Sequence, residues 1–270
     1  MVKTTALLIP VALLGVSTVA QAAESRLQVG FGLTTKKIND VDTTLVAPRF
    51  DADIGVSDHF GVSAILPLTS LSRSEGEGTF RFGNPYLGGF WSTDFEILSL
   101  KVGAGVTLPV ASQDTATVEG LANSSVAYTS AQALAGLGDF WLYQPGTMAL
   151  AVPVQAKLDL ALVEIRADAT WALLIPTKDY AEVDTTLQLA GEALINIPFV
   201  GFGARVQSVW IPTADGDKMQ LSVAPVVEAE VGPVFARTMF LINLDGPSGF
   251  SFDNGNDKFW GWHLAAGDKF

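Results

Sequence analysis

Apolar and polar residues alternate along most of this chain with a period of two. Met148, Leu150, Val152, Val154, Ala156, Leu158 and Leu160 fall on one parity, while Ala149, Ala151, Pro153, Gln155, Lys157 and Asp159 fall on the other. Successive side chains of a strand point to opposite faces, so such a segment is a strand lying between two different environments. The next segment repeats the pattern, with Ile165, Ala167, Ala169, Trp171, Leu173 and Ile175 opposed to Glu164, Arg166, Asp168 and Thr170. It recurs where Val46, Pro48, Phe50, Ala52, Ile54 and Val56 oppose Arg49, Asp51 and Asp53, and where Leu98 to Leu108 oppose Ser99, Lys101, Gly103 and Gly105. Charges keep to one parity throughout.

The pattern predicts twelve strands, over 26–35, 43–56, 60–68, 79–91, 96–108, 147–160, 163–176, 185–197, 200–211, 219–231, 233–244 and 258–270. Most reach the ~9–11 residues that a tilted strand needs to cross a bilayer. Short links at Ser57-Asp58-His59, Ser92-Thr93-Asp94, Ala161-Leu162, Pro198-Phe199 and Gly232-Pro233 alternate with longer ones at 69–78, 109–146, 177–184, 212–218 and 245–257. Short turns at one rim and long loops at the other are the asymmetry of a membrane-spanning β-barrel. Leu66-Pro67, Leu108-Pro109, Ile175-Pro176 and Ile211-Pro212 are read as strand stops, because proline cannot donate to a ladder. Phe60, Phe90, Trp91, Phe95, Trp171, Trp210, Trp260 and Trp262 lie near strand ends, where rings anchor at the membrane interfaces.

No stretch reaches ~18 consecutive apolar residues, which excludes a helical membrane protein, yet 49% of residues are apolar and the mean hydropathy is +0.34. Lys3, the apolar run Ala6–Ala20 and the small-residue end Ala20-Gln21-Ala22 are read as a signal peptide over 1–22 cleaved near Ala22. Residues 23–270 then form one barrel domain. With no cysteine there is no disulfide framework, thiolate metal site or lipoprotein anchor. The net charge of -12 argues against nucleic acid as a partner. No cofactor and no metal are expected.

The final segment, Phe259-Trp260-Gly261-Trp262-His263-Leu264-Ala265-Ala266-Gly267-Asp268-Lys269-Phe270, ends on an aromatic residue after alternating apolar positions. In this, and in its leader and strand pattern, the chain resembles bacterial outer-membrane β-barrel proteins of Gram-negative cells. That resemblance implies an all-β, antiparallel transmembrane barrel of about 12 strands, with short periplasmic turns and longer extracellular loops. It also implies a site in the outer membrane, contact with outer-membrane lipid, and recognition of the strand ending at Phe270 by the barrel assembly machinery. Asp268 departs from the alternating pattern. Phe82-Gly83-Asn84-Pro85-Tyr86-Leu87-Gly88 is similar to a stretch of outer-membrane transporters grouped with aromatic-degradation pathways.

The lumen parity is where function should be legible. It carries Arg49, Asp51, Asp53, Arg81, Lys101, Lys157, Asp159, Glu164, Arg166, Asp168, Glu192, Arg205, Glu228, Glu230 and Arg237, with His263 beside them. Acids and bases nearly balance, so they are read as pairing across strands and not as a single-sign ion filter. Ile65, Leu174, Val209, Ile211, Met239 and Leu241 suggest an apolar vestibule toward the long loops. The leading reading is a channel or transporter for small solutes, leaning toward apolar or aromatic compounds. The alternatives are a non-transporting structural or adhesive barrel with a salt-bridge-filled lumen, and a secreted soluble β-sandwich.

The chain is read as no enzyme, since only His59 and His263 are present and neither accompanies a serine motif or an acidic pair. Gly103-Ala104-Gly105 and Gly201-Phe202-Gly203 lie in alternating strands and are no phosphate loops. Asp253-Asn254-Gly255-Asn256-Asp257 lacks the spacing of an EF-hand and reads as a solvated turn. The longest link, 109–146, is expected to form a short helix or to fold inward as a constriction around Ala131 to Tyr143.

Overall fold

The computed structural model describes residues 23–38, 41–177, 182–213, 217–245 and 260–270. The segment read as a signal peptide and the turn Asp253–Asp257 lie outside the described residues. Thirteen strands form one sheet: β1 (Arg26–Ile38), β2 (Val41–Gly55), β3 (Phe60–Arg73), β4 (Thr79–Phe82), β5 (Tyr86–Phe95), β6 (Leu98–Thr107), β7 (Thr147–Leu160), β8 (Val163–Pro176), β9 (Asp184–Ile197), β10 (Val200–Trp210), β11 (Met219–Val231), β12 (Val234–Asn243) and β13 (Trp260–Lys269). β4 and β5 both pair with β3 and are the two halves of one stave, interrupted at Gly83-Asn84-Pro85, so the barrel has twelve staves. Antiparallel pairing runs around the ring and closes where β1 meets β13, from Arg26↔Lys269 to Leu33↔Trp262. Mutual backbone bonds between Ser25 and Phe270, at 2.9 and 3.0 Å, finish the seam. Among the described residues closure leaves no second layer, which rules out the sandwich, and every strand but the short β4 is paired on both sides, so little edge is open for hydrocarbon to penalise.

Parity sorts the two faces as the pleat requires. On β8, Ile165 and Trp171 are 42% and 45% exposed on the outer wall, whereas Glu164 on the opposite parity is buried inside. Trp260 and Trp262 gather around Phe240 on the outer wall, with ring centroids 5.3 and 4.9 Å from it. Phe90 is the exception among the predicted anchors. It points inward and lies under the Lys101 ammonium, 4.1 Å from its ring centre.

Proline marks the ladder differently from expectation. β6, β8 and β10 do stop at or just before Pro109, Pro176 and Pro212, but β3 continues past Pro67, which faces Arg49. Three ladders are instead skipped locally, around Pro48 between β2 and β3, Pro153 between β6 and β7, and Pro225 between β11 and β12. Each gap omits bonds that proline cannot make while the register stays unchanged on either side.

The long link between β6 and β7 folds into the barrel and fills its upper half. Its helix α1 (Val118–Leu134) starts at Thr117, whose Oγ1 accepts the Gly120 amide at 2.9 Å. A left-handed passage through Gly136, Leu137 and Asp139 leads into a 3-10 turn at Phe140–Tyr143. Ala127, Ala131, Leu134, Trp141 and Leu142 pack with Leu45, Leu71, Leu174 and Val209 of the wall into one core. The apolar vestibule is therefore corrected: Leu174, Val209 and Leu241 are buried under this plug and do not line an open mouth.

Gly32 on β1, which faces His263, and Gly261 two residues away on β13 make the notch for Leu134. A Cβ on Gly261 would overlap the Leu134 side chain. Gly261→Val should push Leu134 out and loosen the plug, read as faster protease nicking between 109 and 146 with the barrel still intact. Unchanged nicking would show that the notch does not seat the plug.

Candidate functional site

Two sets of polar side chains line the lumen. The first spans six staves from β7 to β12, in the half nearer the short turns. Arg166 grips Glu228 with both arms, at 2.7 and 2.9 Å, reaches Glu192 at 3.3 Å and pairs with Glu164 beside it. Arg237 pairs with Glu192 and bonds Glu228 at 3.0 Å. Arg205 bonds Asp168 at 2.6 Å and lies 3.8 Å from Glu192, and Lys157 lies 3.9 Å from Glu164. Four carboxylates thus face four cations. The register explains the convergence, since Arg166↔Glu192↔Arg205 and Glu228↔Arg237 are direct cross-strand neighbours on the inward parity. The side chain of Glu192 is 0% exposed and touches three guanidinium groups.

The second set lies across the lumen on β1, β2, β3 and β6. Arg49 bonds Asp51 at 2.6 Å and the plug residue Asp139 at 2.8 Å. Lys101 bonds Asp53 at 2.6 Å, and Ser63 donates to the other oxygen of Asp53. Between this set and the underside of the plug lies a cavity of about 260 Å³, walled also by Tyr86, Phe90, Trp141 and Leu142.

Three of the lumen-parity charges, Asp159, Glu230 and Arg81, lie apart from both sets. Asp159 closes the turn after β7, its Oδ1 accepting the amide of left-handed Ala161 at 3.2 Å. Glu230 sits exposed at the rim and bonds Lys269 at 2.7 Å. Arg81 bonds Asp114 of the plug loop at 2.9 Å. A hydrogen bond from the Ala116 amide and then that from Arg81 hold the Asp114 carboxyl below its usual range. His59 is exposed in its turn, 3.1 Å from the Ser92 carbonyl.

The plug is fastened by neutral polar residues, of which His263 is expected in the lumen from the sequence and Asn84 lies in the Phe82–Gly88 motif, while Gln188, Gln207 and Asn243 carry no sequence signal of their own. The last carbonyls of a helix have no partner within it, and here the wall supplies donors. Asn243 donates to the Ala133 carbonyl at 3.0 Å, His263 Nε2 meets that of Leu134 at 2.8 Å, and Gln207 reaches Ala135 and Gly136 at 3.0 and 3.2 Å. Gln188 accepts the Asp139 amide at 3.1 Å. Fully buried Asn84 donates to the carbonyls of Trp141, Gln144 and Thr147 at 2.9, 2.7 and 3.2 Å and accepts from the Ala111 amide at 2.8 Å. The motif around Gly83-Asn84-Pro85 is thus where the wall is interrupted and the plug is moored. Arg26, which also faces the lumen, lies 4.2 Å over the Phe235 ring.

No family model and no curated protein matches the chain. Solved structures do. The COG4313 outer membrane channel from Pseudomonas putida F1 is 12% identical, covering 95% of this chain and 100% of that one, with a TM-score of 0.58. The beta domain of the Bordetella autotransporter BrkA is 12% identical over 92% of this chain and 100% of that one, with a TM-score of 0.50. The expectation that the chain is no enzyme is corrected by the same comparison. Its matches extend to LpxR from Salmonella typhimurium, 10% identical over 92% of this chain and 100% of that one at a TM-score of 0.43, and enzymes occur among such barrels. What these likenesses share with the closed ring and apolar outer wall is architecture: the chain has the fold of the bacterial outer-membrane β-barrels.

Proposed function

We propose that this protein is a gated outer-membrane channel for small solutes, exported under its N-terminal segment 1–22, with the link 109–146 as the gate. The observation that carries this reading is the polar cavity of about 260 Å³ between a charged wall and an inward-folded loop. The loop is moored to the wall largely by hydrogen bonds, which water can replace one at a time. The aromatic lining by Tyr86, Phe90 and Trp141 supports single-ring compounds among the solutes, and the strand ending at Phe270 is read as the assembly signal.

A second reading has its own support. The ion network from β7 to β12 is paired on every member, as a bracing lumen that moves nothing would be. Proteoliposome swelling separates the two. A channel lets small sugars and benzyl alcohol in faster than protein-free vesicles do. Swelling no faster than in empty vesicles, for the native protein and for one with Arg49→Ala and Asp139→Ala, would leave bracing as the function.

A further inference from the structure

We infer that the cavity beneath the plug is a binding site for a small single-ring carboxylate, with Arg26 as its anion-binding group. The inference deepens the channel reading by naming what the site takes. It starts from which cavity groups already have partners. Asp51, Asp53 and Asp139 are each bonded to Arg49 or Lys101, and both of those cations are engaged by carboxylates. Arg26 also lines the cavity but forms no ion pair among the described residues. Its Nη2 donates to the neutral Gln28 amide oxygen at 2.6 Å, and its Nε is buried without an acceptor.

Two further donors are unmet. Tyr86 is 6% and Trp141 2% exposed, both line the cavity, and neither the phenol nor the indole N–H has a hydrogen-bond partner among the described residues. The wall is shaped to hold the Tyr86 ring flat: its hydroxyl lies 2.5 Å from where a Cβ on Gly88 or Gly105 would stand. A buried guanidinium N–H such as that of Arg26 is ordinarily paired. Arg26 is held by Gln28 and the Phe235 ring but has no counter-ion among the described residues, two donors beside it are free, and Asp51, Asp53 and Asp139 are satisfied. The complementary ligand therefore brings acceptor oxygens and a negative charge.

The rest of the lining fixes the body of that ligand. Phe90, Trp141, Leu142 and Pro153 give flat apolar surface, suited to a ring stacked or tilted against aromatic faces. A cavity of about 260 Å³ lies just under the ~300–1,000 Å³ of sites for drug-sized molecules. One ring with one carboxylate fits within that volume.

The test is calorimetric titration of the full protein in detergent micelles with benzoate and with benzyl alcohol, its neutral counterpart. Benzoate should saturate one site and bind about tenfold tighter or more, the range of a charge-assisted hydrogen bond. Arg26→Gln should bring the two ligands within about twofold while heat-modifiable migration shows a folded barrel. Should Arg26→Gln not fold, Tyr86→Phe with Trp141→Phe gives the second measure, a several-fold loss for benzoate. Equal affinity of the native protein for both ligands, retention of the benzoate preference by either variant, or no saturable binding would overturn the inference. Swelling run in parallel keeps the readings apart. Saturable benzoate binding in a barrel that passes no solute removes the channel and leaves the site.

Discussion

Glu192→Ala should destabilise the barrel by about 3–5 kcal/mol, the range found when one partner is removed from a buried ion pair. The carboxylate is fully enclosed and is the contact shared by Arg166, Arg205 and Arg237. Without it three guanidinium groups face one another with Glu228, Glu164 and Asp168 left to neutralise them. The loss is measured by urea unfolding of the protein in lipid vesicles, followed through its tryptophans. Glu230→Ala is the control, because that carboxylate stands at the rim with only Lys269 for company, and exposed pairs contribute about 0–1 kcal/mol. Equal effects of the two substitutions would mean that water fills the network and that its charges do not brace the wall. Replacing Glu192 and Arg237 together by methionine should recover much of the loss, since a well-packed apolar substitute for a buried pair is often neutral.

Removing residues 112–140 should raise single-channel conductance in planar bilayers several-fold. Small 8-stranded barrels are filled by their own side chains, while those of 16–18 strands hold an aqueous channel. Twelve staves stand between, so a segment placed inside decides whether solute passes. The deletion takes away α1 and the Arg49–Asp139 pair but leaves the Asn84 anchor on Trp141, Gln144 and Thr147. The remaining link can therefore still join β6 to β7. Conductance equal to that of the native protein would remove the gate from the functional reading.

The staves were legible because lipid and lumen impose opposite demands on alternate residues, and Lys, Arg, Asp and Glu respond strongly to them. Arg49, Asp51, Asp53, Lys101, Glu164, Arg166, Asp168, Glu192, Arg205, Glu228 and Arg237 meet in ion pairs inside the ring, whereas Asp159 and Glu230 stand exposed at the short-turn end. The plug was less legible, because α1 carries no strong amphipathic stripe: Ala127, Ala131 and Leu134 are buried among small polar residues such as Ser124 and Ser130. The moorings were missed for a related reason. Gln188, Gln207 and Asn243 are neutral and common, and nothing marks them until a helix end is brought within reach, whereas Asn84 stands in the Phe82–Gly88 motif, whose mooring role the sequence does not show. Their parity was available, however, and polar amides on the inward parity near the long-loop rim are the signal that would have found them. Arg26 went unremarked at the first residue of β1, since a charge at a strand end resembles an ordinary rim residue.

The break in the wall at Gly83-Asn84-Pro85 also bears on how much of the stave could be redesigned. β4 is bonded to β3 alone, so beyond the interruption the outer rim relies on the tethered insert in place of a neighbouring strand. Tyr128 of that insert donates its hydroxyl to the Phe82 carbonyl at 2.8 Å. Any engineered pore that strips out the insert thus bares a short ribbon of backbone to the membrane, and a wider bore comes with a weaker flank unless that ribbon is shortened too.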